Sequence, residues 1–202
     1  MLGLSFHRRR FKFLDPGTMV EQELELVEPS PRWLDSLLLT TGSPLSAGDR
    51  SANLTRYDWL EWLQQYPRGR EAPNPGQGRC AMYTFWMRLR PQFSPPVEMA
   101  GSISLRIGDT EDLRRYMGHI GYGVYPPAHG NHLAERTCRL VLPLAKRHGM
   151  SELWITVNPD NWPSRRTCER LGADMIEVVD LPTTHPLYHR GDRQKCRYRL
   201  RI

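Results

Sequence analysis

Residues 119–173 read HIGYGVYPPAHGNHLAERTCRLVLPLAKRHGMSELWITVNPDNWPSRRTCERLGA. A short β-prone run, His119 to Tyr125, is cut off by Pro126 and Pro127, and the pattern predicts a helix that opens through Asn131 and stops at Gly149. The segment SELWITVN is an apolar run of strand length. It is followed at once by a short helix with Asn161 as its N-cap and Gly172 at its C-terminal stop. Strand, turn, helix, strand, helix is the grammar of a βαβ unit, so the fold class is α/β. Pro143 conflicts with its own helix, because it removes a backbone hydrogen bond, and a kink is expected there.

The turn before the first helix has chemical meaning. The first N–H groups of a helix have no intrahelical acceptor, and the helix dipole adds roughly half a positive charge at that end, which suits a phosphate. Gly130 permits close approach of a ligand, and Ala134 keeps the first helical turn slim.

With the asparagine-led segment behind it, this region resembles the GNAT superfamily of acyl-CoA-dependent N-acyltransferases. The family signature Q/R-x-x-G-x-G/A falls on His129, Gly130, Asn131, His132, Leu133 and Ala134, and its later N-x-x-S/A falls on Asn161 to Ser164. His129 stands where Arg or Gln is usual and His132 where Gly is usual, but the backbone donors survive both changes. The phrases GHIGY, LAKRHGM, VVDLP and QKCRYRL look like one bacterial-type branch, some members of which also carry His at the central Gly. The resemblance implies a GNAT fold, a mixed central sheet flanked by helices, in which the fourth and fifth strands splay and the pantetheine arm enters the gap. Backbone groups of Tyr122 and Val124 then become binding groups, and acetyl-CoA is the cosubstrate.

Outward from this core, the predicted order is a strand near 20–27, helices near 31–39 and 54–65, and strands at 80–90, 97–107 and 119–125. Two more strands, near 174–179 and 194–202, close the chain. The run RGREAPNPGQGR is too polar and too rich in Pro and Gly to be a packed element. Residues 1–18 read as a dispensable basic extension and 19–202 as the catalytic domain. Half of the formal net charge of +6 lies in that extension, where Arg8, Arg9, Arg10 and Lys12 face a single acid, Asp15. The remainder is too slight for a nucleic-acid binder. No apolar run is long enough to span a bilayer, and four scattered cysteines with no CxxC pair favour a cytoplasmic protein with reduced thiols. Arg197, Arg199 and Arg201 alternate with apolar residues and belong to the wet face of a strand. Trp59, Trp62, Trp86 and Trp154 read as core.

Acyl transfer from a thioester needs a neutral amine, a positioned carbonyl and a proton for the leaving thiolate. The family often supplies a Glu on the fifth strand and a Tyr in the last helix, but this chain has Thr156 and Cys168 there. His119, which titrates near neutrality, is the candidate base and Cys168 the candidate weak acid. His129, His132, His185 and His189 have spacings compatible with zinc, yet no carboxylate or cysteine shares their motif, and no metal is expected. The expected activity is therefore acetyl transfer to a primary amine by direct attack, with a non-catalytic CoA-binding or regulatory module as the alternative. A protein α-amine, a polyamine-like metabolite and an aminoglycoside-like drug all remain open as acceptors, and so does the choice between monomer and homodimer.

Overall fold

The computed structural model describes residues 11–43, 53–66, 69–74 and 79–202. Its strands are β1 (Val20–Glu21), β2 (Leu24–Val27), β3 (Arg70–Glu71), β4 (Ala81–Leu89), β5 (Met99–Ile107), β6 (Ile120–Val124), β7 (Glu152–Val157), β8 (Asp174–Asp180) and β9 (Gln194–Arg201). The helices are α1 (Leu34–Thr41), α2 (Arg56–Gln65), α3 (Leu133–Arg147), α4 (Trp162–Leu171) and the short α5 (Pro186–His189).

The strands form two antiparallel sheets, β1-β2-β4-β5-β6 with β3 beside the first half of β4, and β7-β9-β8. The strands expected as fourth and fifth are β6 and β7, and they do diverge. Where the sheets meet, the His119 N–H donates to the Trp154 carbonyl at 2.6 Å. Beyond that point β6 and β7 go their separate ways, and the cleft between them is the feature on which the rest turns.

Alternation along the strands sorts the core into two clusters. Tyr83, Phe85, Ile103, Leu105 and Ile120 turn one way, to meet Val141 and Leu144 of α3 and Cys168 and Leu171 of α4. Trp86, Met99, Val27 and Tyr125 turn the other way and are covered by Leu34 and Leu37 of α1 and Trp59 and Leu63 of α2. Trp59, Trp62 and Trp86 lie with ring centroids 5.8–6.2 Å apart, in edge-on and stacked pairs that suit aromatic quadrupoles. These tryptophans are core, as the sequence reading has them.

Several local expectations change. The first strand is a hairpin, β1 and β2, turned through Gln22 at φ 49°. The polar loop contributes β3, whose Arg70 and Glu71 pair with Tyr83 and Met82. The helix opens at Leu133, not through Asn131, and α3 runs unbroken through Pro143. The packed body also begins before Met19. Phe13 and Leu14 pack against the main cluster, Phe11 stacks on His148 and Phe13 meets Tyr83 edge-on. The Leu14 N–H donates to the Tyr83 hydroxyl at 2.7 Å, and Arg147 donates to the Pro16 carbonyl at 2.9 Å. Of the expected extension, residues 1–10 lie outside the described residues, whereas 11–18 form a strap on the domain.

Candidate active site

The divergence of β6 and β7 leaves a cleft of about 850 Å³. One wall is β6 from Tyr122 to Val124, continued by the turn from Ala128 to Ala134; the other is the start of α4, from Asn161 to Arg170. All ten residues predicted for cofactor binding line this cleft: Tyr122, Val124, His129, Gly130, Asn131, His132, Leu133, Ala134, Asn161 and Ser164. The two candidate proton carriers, His119 and Cys168, do not.

Backbone polarity explains what the first wall offers. The Arg106 N–H donates to the His119 carbonyl and the Tyr125 N–H to the Ala100 carbonyl. In an antiparallel pair this commits the odd-numbered residues of β6 to β5 and turns the backbone groups of Tyr122 and Val124 toward the cleft. One of these is already taken, because His129 Nε2–H donates to the Val124 carbonyl at 2.8 Å. Tyr122 N–H and C=O and Val124 N–H are what remain for a ligand, a smaller set than the resemblance implies.

At the turn, Gly130 has φ 86° and an added Cβ there would meet nothing within 4 Å. The side-chain amide of Asn131 donates to the Ala128 and His129 carbonyls, both at 3.1 Å, and so braces the turn instead of capping the helix. His132 takes the N-cap position in the left-handed region at φ 53°, and no side chain caps α3. The first backbone bond into the helix is from the Arg136 N–H to the His132 carbonyl, so the N–H groups of Leu133, Ala134 and Glu135 precede it. Leu133 sends its side chain into the core and offers only its backbone. Glu135 is neutralised by Arg139 and Arg170, each at 3.0 Å, and Arg166 and Arg170 stand on the facing wall. Uncapped donors opposite arginines fit a pyrophosphate.

On the second wall, Asn161 caps α4 as expected, its Oδ1 accepting from the Ser164 N–H at 3.2 Å. The Ser164 hydroxyl lies 2.8 Å from the hydroxyl of Tyr122, which crosses the cleft floor to reach it. Burial pushes the Tyr122 phenol above its ordinary range, so the phenol stays protonated. Sequence reading named only the backbone of Tyr122 and did not single out this hydroxyl, since the family pattern places its tyrosine in the helix.

His119 sits at the root of the cleft, 3% exposed. Its Nδ1 accepts from the Trp154 N–H at 2.8 Å and its Nε2–H donates to the Gly108 carbonyl at 3.1 Å. Desolvation lowers its pKa, and the ring is neutral with both nitrogens engaged. No lone pair faces the cleft, which assigns the ring to stitching the two sheets together and not to proton abstraction. Cys168 is fully buried in the main cluster, and desolvation pushes its thiol up to about 12. Thr156 is also engaged, its hydroxyl donating to the Tyr116 carbonyl at 2.8 Å.

Comparison with known proteins agrees with this geometry. Residues 41–174, well over half of the chain, match the acetyltransferase (GNAT) domain family. Among solved structures, the fold is similar to the microcin C7 self-immunity acetyltransferase MccE in complex with acetyl-CoA and AMP. That pair has TM-score 0.64 and 17% identity, over 90% of this chain and 94% of that one. It is also similar to a putative ribosomal-protein-serine acetyltransferase from Vibrio cholerae, with TM-score 0.65 and 15% identity over 94% and 100% of the two chains. A third is RimL, the ribosomal L7/L12 α-N-protein acetyltransferase in complex with coenzyme A, with TM-score 0.63 and 15% identity over 92% and 98%. No curated protein sequence matches. A cleft opened by two diverging strands, an uncapped helix start at its mouth and the family match over residues 41–174 lead to one conclusion: the chain belongs to the GNAT family of acetyl-CoA-dependent N-acetyltransferases.

Proposed function

We propose that acetyl-CoA lies along β6, with its pyrophosphate at the start of α3, and that a primary amine attacks the thioester directly without an enzymic base. The observation that carries this reading is the uncapped start of α3 at the mouth of the cleft. Acetyl-CoA supplies an activated acyl group that needs no covalent enzyme intermediate. The backbone groups of Tyr122 and Val124 orient the pantetheine amides. The Tyr122 phenol, protonated and held by Ser164, is the hydroxyl placed to give a proton to the departing thiolate. Cys168, buried behind it and outside the cleft lining, is the lesser candidate. With His119 engaged on both nitrogens, the amine's proton goes to water. Asn161 and its neighbours meet the pantetheine arm from the far wall.

The four free cysteines favour a cytoplasmic setting. Among the described residues no helix is long and apolar enough to cross a membrane. A thiol-release assay with acetyl-CoA and a panel of amines tests the reading. Turnover with an amine, reduced on the order of 10- to 1000-fold in kcat in Tyr122→Phe with CoA affinity kept, supports it. CoA binding without turnover on any amine would favour the regulatory module instead.

A further inference from the structure

The face of the sheet opposite α3 and α4 holds a cation that has no ionic partner among the described residues. Ile120, Tyr122 and Val124 pack on the α3 side, so Gly121 and Gly123 present bare backbone on the other. There the Arg106 guanidinium lies against β6: a Cβ added to Gly121 would stand 3.3 Å from Arg106 Nη1. Ser104 is opposite Gly121 and Thr84 opposite Ser104, their hydroxyls 3.1 Å apart. The helices α1 and α2 cover the Trp86 and Met99 end of this face. Toward the other end lie the guanidinium, the hydroxyls and the glycine backbone, with Met82 opposite Arg106 and Glu71 opposite Met82.

Other arginines of this sheet come with carboxylates. Arg70 has Glu28 at 2.8 Å, and Arg88 has Glu25 at 3.1 Å and Glu98 at 3.0 Å. Arg106 has a single neutral bond, to the Gly118 carbonyl at 3.2 Å, and among the described residues no carboxylate pairs with it. The acidic groups that act on it are the Cys80 thiol and Glu71, and Glu71 is already held by Arg79 at 3.0 Å. Desolvation lowers the Arg106 pKa, a direction that expresses the unfavourable surroundings of its charge. Arg106 is half-buried. A guanidinium presents a planar fork of donors that matches a carboxylate, and a partly desolvated charge gains from such a partner.

We propose that Arg106 receives a carboxylate of the acceptor, so that the acceptor is an amine with a carboxylate close by. The proposal rests on the acetyl-transfer reading, because that reading puts the thioester beside Tyr122. At about 3.3 Å per strand residue, the ground from Gly121 to Gly123 spans about 7 Å. Amine and carboxylate therefore belong to one small unit, a free amino acid or the first residue of a peptide that begins with Asp or Glu.

The test compares kcat/KM for matched acid and amide acceptors. One arm sets free amino acids against their amides; the other sets C-terminally amidated peptides beginning with Asp or Glu against the same peptides beginning with Asn or Gln. In one arm the wild-type protein should favour the acid on the order of 10- to 100-fold, as a charge-assisted pair would, and the arm that does so identifies the source. Arg106→Gln, which can still donate to Gly118, should bring the acid down to the level of the amide. Arg106→Lys, a point charge without the fork, should fall between. Equal use of acid and amide by the wild-type protein, or a preference that survives Arg106→Gln, overturns the proposal. CoA titration calorimetry on the same proteins separates the two readings. CoA binding and amide turnover without acid preference sink only the role of Arg106, whereas absence of both sinks acetyl transfer itself. If CoA binds and no amine turns over, thermal shifts of the CoA-loaded protein with the same acids decide: shifts that do not depend on Arg106 also overturn it.

Discussion

Two helices start at the cleft, and they start differently. At α4 every early donor has a place inside the protein: the Trp162 N–H goes to the Asp160 carbonyl, Pro163 has none, the Ser164 N–H goes to Asn161 Oδ1 and the Arg165 N–H to the Asn161 carbonyl. At α3 the N-cap residue is a histidine in a left-handed conformation whose side chain caps nothing. Backbone polar groups seek partners, so the first start is finished by the fold and the second is left for a ligand to finish. The same contrast runs down the two walls. Ser164 is tied to Tyr122, whereas Tyr122 and Val124 keep backbone groups turned to the gap.

The harshest way to break this comparison is Gly130→Pro. At φ 86° a proline does not fit, and it also removes a donor from the turn. CoA affinity should fall on the order of 100-fold or more by calorimetry, with α4 untouched; unchanged affinity in a folded variant would remove the turn from the site. Next comes the root that joins the walls. His119→Leu strands the Trp154 N–H and the Gly108 carbonyl and should lower stability by about 2–4 kcal/mol in urea unfolding. The depressed pKa of His119 also gives a pH signature. The unfolded chain takes up a proton near pH 6.5 that the folded ring resists, so stability is full above that value and is lost as pH falls through it. His148, whose pKa desolvation also lowers, contributes in the same sense. The variant should therefore show a weaker acid slope than the wild-type protein, and an identical slope would count against a neutral His119.

A milder probe acts on the finished start. Asn161→Ala should cost about 1 kcal/mol from the cap alone, and Asn161→Ser should restore it. CoA affinity that stays impaired in the serine variant marks a ligand contact beyond the cap; equal recovery of both leaves Asn161 a cap only. The smallest effect is expected at the unfinished start. His132→Gly relieves a left-handed residue and should raise stability by up to about 1 kcal/mol with CoA binding retained. A loss of affinity there would show that the imidazole itself holds the ligand.

What the sequence made legible follows the range of the forces involved. The Asn161 cap and the left-handed Gly172 stop are decided within a few residues, and both stand where they were expected. The alternation in β9 likewise buries Cys196, Tyr198 and Leu200 and leaves its arginines to Glu177 and Asp174 of β8. Asn131 misled because an asparagine before a helix can cap it or brace the turn ahead of it, and the choice depends on which carbonyls lie near. The hairpin at Gln22 has no glycine to announce it. Nothing local tells that the Tyr122 hydroxyl crosses to Ser164, 42 positions on, or that Arg106 meets no carboxylate among the described residues. Those facts belong to the assembled sheet.

The strap from Phe11 to Thr18 ties the beginning of the described chain to residues made much later. Its partners Tyr83, Arg147 and His148 include contacts 131 positions away. A ribosome adds roughly 5–20 residues per second, so the strap waits several seconds or more for the end of α3 to emerge. Through that interval Phe11, Phe13 and Leu14 are nascent apolar side chains with nothing to cover them, ready for a chaperone or for the wrong neighbour. The last turn of α3 is thus also the point in synthesis at which the beginning of the described chain can be put away.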